Sequence, residues 1–141
     1  MFLRSVFIAL AAIASCHVYA QQAAKVESKG QHAQIKVEEV ISGHLTELNG
    51  RYKLRVTEVT WDPGGQIGPH HHVGPGVRCV TSGELTYVSD TSHTYRPGDC
   101  FYESGDVSHT ANNLTSKPVV LLSFEVVPAA YSGGTAIPVP K

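Results

Sequence analysis

Past residue 20 the chain reads as short runs of strand-period alternation separated by turn residues. Tyr52, Leu54 and Val56 alternate with Lys53, Arg55 and Thr57, so successive side chains point to opposite faces. The same reading gives strands over Ile35–Ile41, Tyr52–Trp61, Val77–Val80, Leu85–Val88, Thr94–Tyr95, Cys100–Glu103 and His109–Asn112. Val119–Val127, VVLLSFEVV, is the most apolar run and is predicted to be a central strand ending at Pro128. Ser89–Ser92, Arg96-Pro97-Gly98-Asp99 and Ser104-Gly105-Asp106 supply the breaks. No run past residue 20 combines helical periodicity with start and stop signals, so the class is all-β, a sandwich or a barrel.

The first twenty residues differ in kind. Arg4 precedes an apolar run from Val6 to Ala14 with small residues behind it, the layout of an export signal and too short for a membrane span. Two exits fit: cleavage after Ala20, or a lipobox ending in Cys16, whose lipidation would tie the chain to a membrane. The mature protein is expected in the periplasm or outside the cell. Residues 21–34 form a polar segment, 35–128 the domain, and 129–141 an extension with Gly133-Gly134. With 141 residues there is room for one domain. The balance of 11 Lys and Arg against 12 Asp and Glu leaves no electrostatic footprint for nucleic acid.

Chemistry concentrates in GPHHHVGPG. Residues two apart share a strand face, so His70 and His72 present their imidazoles together while His71 points away. Two imidazoles on one face begin a site for Fe, Zn, Ni, Cu or Mn, and His109 is the natural third.

Gly64, His70-x-His72 and Gly83 resemble the first motif of the cupins, G(X)5HXH(X)3–4E(X)6G. Gly98, Ser104, Asp106, His109 and Asn113 resemble the second, G(X)5PXG(X)2H(X)3N, with Ser104 and Asp106 standing where proline and glycine are common. The resemblance, over about Lys53–Val127, implies a small double-stranded β-helix, or jelly-roll barrel, with a metal held inside by His70, His72 and His109. The motif's glutamate falls at Gly76, so the usual carboxylate ligand is absent and its replacement is sought across the barrel at Glu103. Three neutral imidazoles leave a dication with its full charge and, in an octahedral site, three open positions. This looks like the three-histidine cupin dioxygenases that cleave acetylacetone or oxidise thiols, and implies a small substrate chelating through two oxygens.

Glu103 shares a strand face with Phe101; buried near the metal it is a ligand or a general base, and on an edge strand it is a surface residue. The leading reading is an Fe(II)-dependent dioxygenase, with Zn, Ni or Mn as alternative metals. A non-catalytic binding protein of the cell envelope and a metal-dependent isomerase or lyase remain open beside it. Tyr87, Phe101, Tyr102 and Phe124 are expected in the core or barrel lining, and Trp61 at the barrel mouth. Cys79 and Cys100 fall on neighbouring outward positions in this scheme, which allows a cross-strand disulfide or two free thiols. The resemblance also implies homodimers through sheet edges.

Overall fold

The computed structural model describes residues 25–139. Nine strands follow one another: β1 (Ser28–Val40), β2 (Tyr52–His72), β3 (Gly76–Ser82), β4 (Leu85–Val88), β5 (Ser92–Tyr95), β6 (Cys100–Glu103), β7 (His109–Asn112), β8 (Val119–Pro128) and β9 (Ala136–Pro138). Among the described residues there is no helix. The strands are hydrogen-bonded in the order β5-β4-β7-β2-β8-β3-β6, with β1 and β9 also on β2. Strand β2 closes the barrel: Tyr52–Trp61 pairs with β8, and beyond Asp62-Pro63-Gly64-Gly65 the same strand pairs with β7 and β9. The architecture is the all-β jelly-roll barrel.

Three differences from the sequence pattern share one cause. Strand β1 begins at Ser28, ahead of Ile35; β2 runs on past Trp61 to His72; and Ala136–Pro138 pairs with His70–His72. In each case the backbone ladder is satisfied by a neighbour without an apolar alternation, so hydrophobic periodicity carries no trace of it.

Register explains what the barrel holds. Glu38 (β1), Arg55 (β2), Glu125 (β8), Gly76 (β3) and Glu103 (β6) are successive partners in one row. Ile35, Thr57, Ser123, Arg78 and Phe101 form the next row, and Ala33, Val59, Leu121 and Val80 another. The interior thus grades from charged through hydroxylic to apolar, ending in a core of Trp61, Ile67, Val80, Leu85, Val119 and Leu121. Trp61 belongs to that core, 4% exposed, and not to the mouth, because β2 continues past it and covers it.

At the charged end polarity is inverted. Lys53, Arg55, Thr57, Arg78 and Glu103 are buried, while the outward row exposes Val37, Phe124, Val77 and Tyr102. Tyr102 (67% exposed) and Phe124 (37%) therefore lie outside the barrel, contrary to expectation, because the inward positions beside them are taken by Glu103 and Glu125. Cys79 and Cys100 are register partners on the outer side and are disulfide-bonded.

Candidate metal centre

Strand alternation puts His70 and His72 on one face of β2, and His70 is the register partner of His109 at the start of β7. The three ring centroids lie 4.3 to 5.2 Å apart, and one ligand atom from each falls within 4.8 Å of the others. His70 Nδ1 is 2.9 Å from Gly68 O, and His109 Nδ1 is 3.0 Å from Val107 O. A carbonyl can only accept, so in both rings Nδ1 carries the proton and Nε2 offers a bare lone pair. Burial, and then the neighbouring His109, push the His70 pKa down to about 3. Burial also lowers that of His109, against the opposing charge of Glu103. Both rings are neutral, the form that binds metal. Gly105, at φ +101° where a side chain would be strained, turns the chain between Glu103 and His109 so that its carbonyl accepts from His72 N at 2.8 Å.

Glu103 is 7% exposed and turns its two oxygens to two of these rings: Oε1 lies 3.1 Å from His109 Nε2 and Oε2 lies 3.2 Å from His72 Nε2. A carboxylate oxygen and an unprotonated imidazole nitrogen repel at that distance unless a cation or proton lies between them. Two ligand atoms each about 2.1 Å from a metal, at right angles, stand about 3.0 Å apart. The observed separations match neighbouring ligands on one ion. The residues present therefore fit a divalent cation.

Glu103 is not across the barrel from Gly76 but beside it, on the adjacent strand and in register. The space above Gly76 is filled: a Cβ there would stand 2.0 Å from Arg78 Nη1 and 2.5 Å from Phe124 O. Arg78 Nη2 donates to Glu125 Oε1 at 3.0 Å and stands 2.8 Å from Glu103 Oε2. Glu125 Oε1 in turn is 3.4 Å from His72 Nδ1. Burial would raise the Glu125 carboxyl, but the contacts with His72 and Arg78 outweigh it and hold it below the usual carboxylate range.

Arg78 and Glu125 are the charged positions beside the cluster that the sequence reading missed. The available signals were parity, since Arg78 lies two residues from Gly76 on the same face, and the single charge in VVLLSFEVV. Tyr87 stacks on His109, centroids 4.6 Å apart, and burial, with the Glu103 charge behind it, pushes its phenol up to about 12. A cavity of about 350 Å³ reaches the cluster, walled by Trp61, Ile67, Leu85 and Leu121 on the apolar side. His71 pairs with Ile137 and stays out of the cluster; His32 contacts Asp62 at the surface, and His44 and His93 are exposed.

A jelly-roll barrel with an inward set of three histidines could hold a divalent metal. Residues 57–125 match the family model of the cupin domain, so this part of the chain is a cupin domain. No curated protein matches it by sequence. Among solved structures it is similar to a cupin-like protein from Thermotoga maritima (20% identity, covering 70% of both chains, TM-score 0.54). A cupin domain from Bordetella pertussis is similar too (20% identity, 71% of this chain and 96% of that one, TM-score 0.52). So is the polyketide cyclase RemF from Streptomyces resistomycificus (16% identity, 77% and 81%, TM-score 0.56). At these identities the likeness is one of fold.

Proposed function

We propose that this cupin is an exported Fe(II)-dependent dioxygenase of small substrates that chelate through oxygen. The observation that carries the reading is the approach of Glu103 Oε1 to the bare Nε2 of His109 at 3.1 Å, a pair of lone-pair atoms that calls for a cation. His70, His72 and His109 would hold the metal, with Glu103 as fourth ligand. An octahedral ion would then keep two positions, one fewer than the histidines alone leave, enough for a chelating substrate or for one substrate oxygen beside O₂. Once bound, the metal supplies Lewis-acid polarisation and, as Fe(II), electrons to O₂. The chain's own contribution is an apolar wall on one side of a cavity of about 350 Å³, and Tyr87, which keeps its proton and braces the His109 ring.

A second reading, a metal-dependent lyase or isomerase, is favoured by one feature. Glu103 Oε2 is buried and ion-paired with Arg78 Nη2 at 2.8 Å, but no donor is aligned on it, so it keeps a lone pair that can take a proton from a metal-bound substrate. Export is supported by the Cys79–Cys100 disulfide, since such bonds persist in oxidising compartments; residues 1–20 and Cys16, which carry the leader and lipobox readings, lie outside the described residues.

The mature protein should bind about one divalent ion per chain, and His70→Ala or His109→Ala should abolish binding. The Fe(II) form is then assayed for O₂ uptake with β-diketones, thiols and catechols. Turnover of any of these without O₂ would replace the first reading by the second. No turnover in either atmosphere would make the protein a binding module. Glu103→Gln should bind metal much more weakly as a ligand variant, so that it fills only at high metal concentration; lost activity with wild-type metal affinity would make Glu103 the base instead.

A further inference from the structure

We infer that Arg78 is the positioning residue that holds Glu103 at the metal, the two together standing in for the carboxylate that the first motif carries at the Gly76 position. The inference rests on the metal site proposed above. Gly76 sits in its row between Glu125 on β8 and Glu103 on β6. No side chain fits there, because any Cβ meets both the Arg78 guanidinium and the Phe124 carbonyl of β8. The carboxylate has instead moved one strand along the same row.

That displacement brings two glutamates to flank one glycine inside a barrel, with side-chain exposures of 6% for Glu103 and 2% for Glu125. Unaccompanied, they would repel through a low-dielectric interior. Arg78, 5% exposed, lies between them and meets both with Nη2. Both glutamates also face His72, Glu103 at Nε2 and Glu125 at Nδ1, so His72, Glu103, Arg78 and Glu125 close a ring. The hydrogen bond from Nη2 to Glu125 Oε1 at 3.0 Å fixes the guanidinium plane, and its charge then holds Glu103 Oε2 at 2.8 Å. The ring fixes which Glu103 oxygen faces which imidazole. Arg78 is thus bound to the coordination geometry and not only to the packing.

The test uses the mature chain titrated with Co(II), whose visible spectrum reports its ligands. Replacing residues that orient metal ligands costs about 10- to 100-fold in affinity. Arg78→Met should fall in that range, and at saturating Co(II) its bands should move toward those of Glu103→Gln as the carboxylate leaves the ion. Arg78→Lys, which keeps the charge but not the planar guanidinium anchored on Glu125, should regain part of the affinity and not the wild-type spectrum. Thermal melts identify the folded variants; if Arg78→Met does not fold, the spectrum of Arg78→Lys decides. Wild-type affinity and spectrum in a folded Arg78 variant would overturn the inference while leaving the metal site intact. Metal retained by His70→Ala would overturn the site itself, and an unchanged spectrum in Glu103→Gln would remove Glu103 as ligand and Arg78's role with it.

Discussion

Asn113 has no contact with the histidines, yet it is fully buried and its carboxamide is fully engaged. Its Nδ2 lies 2.7, 2.9 and 3.2 Å from the carbonyls of Lys117, Asp62 and Trp61, and its Oδ1 accepts from Thr115 N and Oγ1 at 3.0 and 2.8 Å. One amide pins the bend of β2 to the turn before β8. Buried hydrogen bonds contribute about 1 kcal/mol each, and their orphaned partners cost more, so Asn113→Ala should lose about 3 kcal/mol of stability. A urea titration measures that loss, and the Co(II) affinity of the folded fraction should be unchanged. This residue and the three histidines were legible because spacing alone fixes them: two residues apart means one face, and the second motif places His109 and Asn113 together. Arg78 was legible only through parity. The motif sets Gly76 at the metal and Arg78 is two residues on, but a lone arginine in GVRCV reads as an outward charge unless that parity is followed.

At the scale of the strand, the alternation in β2 was read correctly as to period, but burial follows the polar set. Lys53 and Arg55 turn into the barrel because β1 brings Glu38 to meet them: Nζ of Lys53 at 2.8 Å and Nε of Arg55 at 2.5 Å, while Arg55 Nη1 donates to Gly133 O at 2.7 Å. Leu54, between them, is 43% exposed. Hydrophobic pattern cannot foresee this, since in β1 the apolar alternation is carried by Ile35 and Val37, which are exposed, and the partner carboxylate Glu38 falls outside it. Leu54→Ser should therefore change the urea midpoint less than Glu38→Gln, which leaves two inward cations without their carboxylate. The same contacts predict a pH effect. The hydrogen bonds from Lys53 and then Arg55 hold the Glu38 carboxyl below its usual 4.5, so the folded state binds its proton less readily than the unfolded chain. That stabilisation is complete above 4.5 and is lost as pH falls through the lower folded value. Glu38→Gln should flatten the decline of stability with pH in that acid range, and an identical slope in both proteins would show the contact to be energetically silent.

Across the whole molecule, the site hangs on an edge strand, β6. This four-residue strand ends the hydrogen-bonded order, with β3 as its pairing partner, and it carries Glu103. The Cys79–Cys100 bond sits at the far end of that pairing and fixes the register that sets Glu103 opposite Gly76. The sequence allowed the bond but did not require it, because pairing of the two strands is a property of the closed barrel. Closing a loop across a separation of 21 residues constrains the unfolded chain by about 3 kcal/mol. The Cys79→Ala/Cys100→Ala variant should show that loss in its melting curve. Because a loosened β6 also frees Glu103, Co(II) affinity should fall as well, well below the melting temperature, where the fold itself is intact. A stability loss with wild-type metal affinity would mean that Arg78 alone keeps Glu103 in place, and that the disulfide protects the fold without tuning the site.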